Sequence, residues 1–206
     1  MNDPKLDPIW AECGKLGIPV AIHVGDPEAF YDPIDGKNER YDQLVKRPEY
    51  RFSGGDFPKH SEVVKDLENV FLKHHGTTFI SLHVGNWPEN LDYVSEMLRL
   101  CPNVVVEFGA RQAELGRQPN RTRKFFTEFS DRVLFGCDGN TEDIYPHYFR
   151  WLETDDDHFD YYSYPNQGRW RISGLKLPDD ILEKIYHLNA ERMFQQAKVA
   201  AAKPSP

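Results

Sequence analysis

No two cysteines of this sequence stand close together. The three present, Cys13, Cys101 and Cys137, form no CxxC pair. That excludes a zinc knuckle, a thioredoxin-type redox pair and a disulfide framework, and it points to free thiols in a reducing, cytoplasmic setting. Positive charge is scarce as well. The 25 Lys and Arg against 33 Asp and Glu leave a formal net charge of -8, which argues against a generic nucleic-acid or anionic-membrane surface. No apolar run approaches the roughly 20 residues of a membrane span. The start MNDPKLDPIW lacks both the basic region and the apolar run of a secretory signal. HxH, HExxH and Cys/His clusters do not occur, and no internal repeat is strong enough for a solenoid.

What is there suits one globular domain. The chain has 206 residues, 39% of them hydrophobic and 13% aromatic, enough for a sizeable core. Asp7 to Leu16 reads as a helix that Asp7 caps, Pro8 opens and Gly17 ends. The run IPVAIHV that follows reads as a strand buried on both faces. Asp26 to Lys59 is a long loop with short helical pieces at most. A helix is expected over Ser61 to His74, with Val64, Leu67, Val70, Phe71 and His74 on one face. TTFISLHV is the second strand, Asn90 to Leu100 a helix, VVVEFGA the third strand and Asn120 to Phe129 a further helix. RVLFGCDG is the fourth strand. A second insertion, aromatic and acidic, runs over residues 139–176, and a closing helix over 177–200 ends in a frayed KPSP tail. Short apolar strands that alternate with amphipathic helices imply a parallel α/β sheet. Both insertions follow strand C-termini, the rim that carries active sites in such folds.

Three polar residues close separate strands: His23, His83 and Asp138. In a parallel barrel these ends converge on one mouth. Imidazole and carboxylate suit Zn²⁺ or a similar divalent ion, which acidifies bound water, and a carboxylate serves as proton acceptor for that water. The other histidines, His60, His74, His75, His147, His158 and His187, read as solvated or structural. Cys137 alternates away from Asp138 and reads as core. Arg111 and Arg117 lie near the third strand's end, where an arginine fork suits a carboxylate or phosphate; Arg121 and Arg123 read as surface. Glu107, inside the third strand, needs a partner, and an arginine across the barrel would serve. The charge run in RWLETDDDHFDYYSYPNQGRW reads as a solvated loop, a lid or an oligomer contact rather than a calcium site.

Four segments carry a resemblance. DPKLDPIWAECGKLGIPVAIHVGDP is similar to the fifth-strand region of the amidohydrolase-related metal-dependent hydrolases, a group that includes aminocarboxymuconate-semialdehyde and resorcylate-type decarboxylases. FISLHVGNWPENLDYVSEML resembles their sixth-strand histidine region, DRVLFGCDG their eighth-strand aspartate region, and LPDDILEKIYHLNAERMF their closing helix with its Asn-Ala-x-Arg signature. The resemblance implies a TIM-barrel-like (β/α)₈ fold, of which this chain holds the four units of strands 5 to 8, with a divalent metal, first of all zinc, at the C-terminal rim. His23 matches a metal ligand. His83 matches a histidine that binds metal or polarises substrate or water. Asp138 matches a ligand and general base.

The implied activity is metal-dependent hydrolysis of an amide, ester or lactone in a small molecule. Non-oxidative decarboxylation in the same fold is the alternative, and a catalytically inactive half-barrel a third reading. The sequence departs from the family in lacking the first-strand His-x-His pair and the first four strand–helix units. It therefore reads as a C-terminal half that a missing N-terminal half, or a second copy in a homodimer, would complete.

Overall fold

The computed structural model describes residues 1–201, with side chains for residues 1–197; the KPSP tail expected to fray lies outside them. Four parallel strands form a single sheet in the order β1-β2-β3-β4, each pairing with the next along the chain: β1 (Val20–Ile22), β2 (Phe79–Ser81), β3 (Val104–Glu107) and β4 (Val133–Leu134). The strands are shorter than the apolar runs that contain them. Their last residues leave the ladder to build the rim.

Register fixes two unlike faces. Ile22, Ser81, Val106 and Val133 lie in one row, and all are buried. With Phe79 and Val104 they pack against the helices His60–Lys73, Leu91–Leu100 and Pro119–Glu128. The opposite row of Ala21, Ile80 and Val105 is exposed at Ala21 and half-buried at the other two. The expectation that the first strand is buried on both faces therefore fails at Ala21, because no layer among the described residues covers that face. One face covered by helices and the other bare is the cross-section of a barrel wall.

The helices follow their apolar spacing. Val64, Leu67, Val70 and Phe71 are all buried, as the 3.6-residue period requires. Each such side chain contributes about 1.5–3 kcal/mol through burial. Asp7 does not cap the first helix, Asp7–Leu16, whose cap is Leu6. Its carboxylate instead accepts from His74 Nε2 at 2.9 Å and from Lys73 Nζ, which ties this helix to the C-terminal end of the helix His60–Lys73. Gly17 ends the helix in the left-handed conformation, φ 65°.

The second insertion is more ordered than a solvated loop. Its helix Tyr145–Glu153 buries Tyr148, Trp151 and Leu152, and Trp151 meets Phe108 and Phe126 edge to face. An antiparallel bridge joins Phe159 to Ile172. A short helix, Gln112–Gly116, follows β3. The closing segment runs from Asp179 through a π-helical turn at Lys184–Leu188 to Ala201. Its Asn-Ala-x-Arg signature is structural: Asn189 Nδ2 donates to Ser130 O and Val133 O at 2.7 and 2.8 Å, and Arg192 reaches Asp131 O at 2.6 Å. No helix among the described residues is long and apolar enough to cross a membrane.

Candidate active site at the C-terminal rim

Left-handed residues end three of the four strands: His83 at φ 56°, Ala110 at φ 54° and Asp138 at φ 52°. Such conformations are costly for residues with a Cβ and collect at functional sites. After Ser81 four residues in a row, His83 to Asn86, are left-handed, and the glycine and asparagine that close this turn are the types that tolerate it. The turn drives the His83 ring inward.

His83 is buried, with Nδ1 2.7 Å from the Gly109 carbonyl. A carbonyl only accepts, so Nδ1 carries the proton and Nε2 keeps its lone pair. Burial, helped by the charge of Arg111, pushes the imidazole down to about 3 and holds it neutral. The His23 ring meets it edge to face with centroids 4.6 Å apart. His23 itself is half-exposed, and its Nε2 lies 3.1 Å from the carbonyl of Gly25. Asn86 holds this loop in place, accepting through Oδ1 from Val24 N and Gly25 N, both at 3.3 Å.

Glu107 lies behind these rings. The arginine expected across the barrel is not its partner: its carboxylate accepts from the backbone N–H of Gly109. Two glycines make room for it. A Cβ at Gly136 would fall 1.8 Å from Glu107 Oε1, and one at Gly109 would fall 2.5 Å away. Burial raises the Glu107 pKa, and nearby Asp138 adds to that. Asp138 stands exposed beside Gly109. Gly109 thus links the centre, since its N–H meets Glu107 and its carbonyl meets His83.

Arg111 precedes the short helix after β3 and is only 5% exposed. Its charge acts on His83, and it feels the charges of Glu89, Asp26 and Asp138. Its Nη1 donates to the carbonyl of Ala110 at 3.1 Å, and its buried Nε has no partner among the described residues. Arg117 is placed otherwise: both its Nη atoms bind Glu39, and it stacks 4.4 Å over Trp170. Arg121 pairs with Asp92 at the surface, whereas Arg123 donates to Leu175 O. Cys137 is buried as expected.

Two features of the rim were not legible as site residues. His60, read as solvated or structural, is buried, with Nε2 2.9 Å from Asn86 O, and packs edge to face on Tyr31 and Trp87. Beside His23 opens a cleft of about 350 Å³ lined by His23, Asp26, Tyr31, Phe52, Phe57 and Val63. The aromatic content of the 26–59 loop was the available signal for it.

Two imidazoles and a carboxylate are chemically apt for a borderline divalent ion. As arranged they are not a ligand shell: among the described residues no group of three or more His, Cys, Asp or Glu side chains could hold a metal ion. His23 Nε2 is meanwhile engaged at 3.1 Å with the carbonyl of its own loop at Gly25.

The comparisons agree with this architecture. No curated protein matches the chain at a significant level. A solved structure, that of the uncharacterized TIM-barrel protein Bb4693 from Bordetella bronchiseptica, superimposes with a TM-score of 0.54 at 20% identity. The likeness covers 96% of this chain and 52% of that one, so the chain spans about half the length of that barrel. This supports a partial TIM barrel. The family model for amidohydrolases, a generally metal-dependent group, matches residues 1–196. The strand-end histidines, the aspartate region and the closing helix all lie inside that match, and the chain belongs to the amidohydrolase family.

Proposed function

We propose that the rim performs metal-dependent hydrolysis of a small molecule that carries a carboxylate, the scissile group being an amide, ester or lactone. The observation that carries this reading is His83: buried and neutral, its tautomer set by Gly109 O, its Nε2 free beside His23. Such an imidazole accepts a hydrogen bond or a ligand at neutral pH. To hold a divalent ion, zinc first of all, together with His23 and Asp138, the His23 ring would have to turn away from the Gly25 carbonyl; the ion, when bound, would supply Lewis acidity and an acidified water.

The remaining roles belong to the chain itself. Asp138, exposed at the rim, takes the proton of the attacking water. Arg111 anchors the substrate carboxylate, and burial strengthens that attraction. Arg117, held by Glu39 and stacked on Trp170, is a secondary contact for the substrate. The aromatic cleft beside His23 receives an apolar body. Glu107 holds Gly109, and through it His83, in register.

Decarboxylation is the second reading, favoured by the same arginine, which would grip a leaving carboxylate. Product analysis separates the two. Aryl ester or lactone substrates with a free carboxylate are expected to give alcohol and acid without release of CO₂. Release of CO₂ from an aromatic acid points to the lyase. Absence of both with added divalent metal points to an inactive half-barrel.

A further inference from the structure

Glu89 follows the rim turn of β2, in the segment that leads to the helix Leu91–Leu100. Among the described residues, neither of its carboxylate oxygens is solvent-accessible and neither finds a hydrogen-bond donor on another residue. The segment is pinned: Trp87 Nε1 donates to Glu28 Oε2 at 3.1 Å, and Gln118 Nε2 donates to Pro88 O at 2.8 Å. A buried, unpaired carboxylate is expensive and calls for an explanation.

Three arginines act on it electrostatically: Arg111, Arg40 and Arg117. Two of them are taken. Arg40, almost fully buried, is paired with Glu114 and hydrogen-bonded to Gln43 at 2.8 Å. Arg117 is held by both oxygens of Glu39. Arg111 is the arginine of the three that has no salt bridge among the described residues, and Glu89 is the charge that acts on it most strongly. Glu89 balances the charge of Arg111 without occupying its donors.

We propose that Glu89 is a positioning residue for Arg111: a counter-ion held out of contact, which leaves the guanidinium fork open for the carboxylate of a ligand and takes up a proton when that carboxylate arrives. The proposal rests on the reading of Arg111 as the carboxylate anchor. With Arg111 neutralised by a ligand, Glu89 would be a second buried negative charge sharing one cation, and such a charge is neutralised by protonation. Burial already raises its pKa in the free protein, against the pull of the three arginines. The linkage has a definite sign. Ligand affinity falls as pH rises through the range in which free Glu89 ionises.

The test is calorimetric titration of the full chain with benzoate, with neutral benzamide as control, from pH 5.5 to 8 in two buffers of different ionisation enthalpy. Benzoate supplies the carboxylate and an aromatic body for the cleft. The wild type is expected to take up a proton per benzoate and to bind more weakly at higher pH. Glu89→Gln is expected to bind about tenfold more tightly at pH 7.5, the size of effect that a charge several ångströms away exerts inside a protein, and to take up no proton. Arg111→Gln is expected to lose benzoate binding. A structural role alone would shift both variants in the same direction. Glu89→Gln that binds equally or more weakly overturns the proposal. Benzoate that fails to bind the wild type, or binds Arg111→Gln as well as the wild type, overturns the carboxylate anchor first and the proposal with it. If Glu89→Gln does not fold, His23→Asn decides: proton uptake that persists supports Glu89, and uptake that vanishes overturns it.

Discussion

Gly136→Ala places a methyl group where Glu107 already is. The added carbon would lie 1.8 Å from Oε1, 2.5 Å from Cδ and 2.7 Å from Cγ of Glu107. No shift of the carboxylate tip relieves all three contacts, so the whole side chain must leave. Gly136 is not among the residues with positive φ, and the obstacle is Glu107 rather than the backbone. The cost has two parts. Overpacking of a filled site costs about 1–3 kcal/mol. Loss of the bond from Gly109 N–H to the carboxylate adds about 1.5–3 kcal/mol, as for other hydrogen bonds to a charged group. The variant should be less stable by about 3–5 kcal/mol, the sum of those ranges with partial relaxation. With an m-value of about 2 kcal/mol per M, the urea midpoint falls by about 2 M. Glu107→Ala should cost about 2 kcal/mol alone, mostly from the stranded Gly109 N–H. The double variant should cost less than the sum by about 3–5 kcal/mol, the whole cost of Gly136→Ala, because the methyl then enters empty space and the bond to Gly109 is already gone. Equilibrium urea unfolding followed by tryptophan fluorescence measures all three. An additive cycle, or a Gly136→Ala midpoint equal to the wild type, would refute the reasoning.

Other consequences follow from the same contacts. Arg40→Met should destabilise by about 3–5 kcal/mol, since it strands the fully buried Glu114, and Arg40→Met with Glu114→Leu should recover most of that in thermal or urea unfolding. Asn189→Ala leaves the carbonyls of Ser130 and Val133 without that donor, at about 1–3 kcal/mol each, read as a lower melting temperature. Burial lowers the pKa of His60 below its ordinary value. The unfolded chain therefore takes up that proton first, near pH 6.5. Its stability contribution is full above that pH and is lost as pH falls towards the folded value. His60→Asn should show a shallower loss of stability between pH 7 and 5 than the wild type.

Much of this was legible because burial imposes a period. Val64, Leu67, Val70 and Phe71 mark one helix face, and β-rich runs between glycines mark four strands. His23, His83 and Asp138 could be singled out because each interrupts an apolar run at its end. The rest depended on approach between distant segments. That Glu107 meets the Gly109 backbone rather than an arginine depends on space left by Gly136, 29 positions away and just beyond the end of the paired strand β4. The isolation of Glu89 depends on Glu39 and Glu114 having taken its neighbours. The helix Tyr145–Glu153 was hidden by its acidic, aromatic surroundings, although Tyr148, Trp151 and Leu152 carry a helical period in plain view. The strands were read too long because the left-handed turn at His83 belongs to the tertiary packing of the rim, and no local propensity favours it in a histidine or a valine.

The central claim is that His23, His83 and Asp138 serve one metal-dependent site at the rim. Calorimetric titration of metal-free protein with Zn²⁺ at pH 7 tests it most directly. One ion per chain is expected, with affinity lowered by about 10- to 100-fold or more in His23→Ala, His83→Ala and Asp138→Ala, at least the loss that removal of a supporting group causes, and unchanged in His75→Ala, whose side chain lies at the surface. Absence of binding, or equal affinity in all four variants, would contradict it.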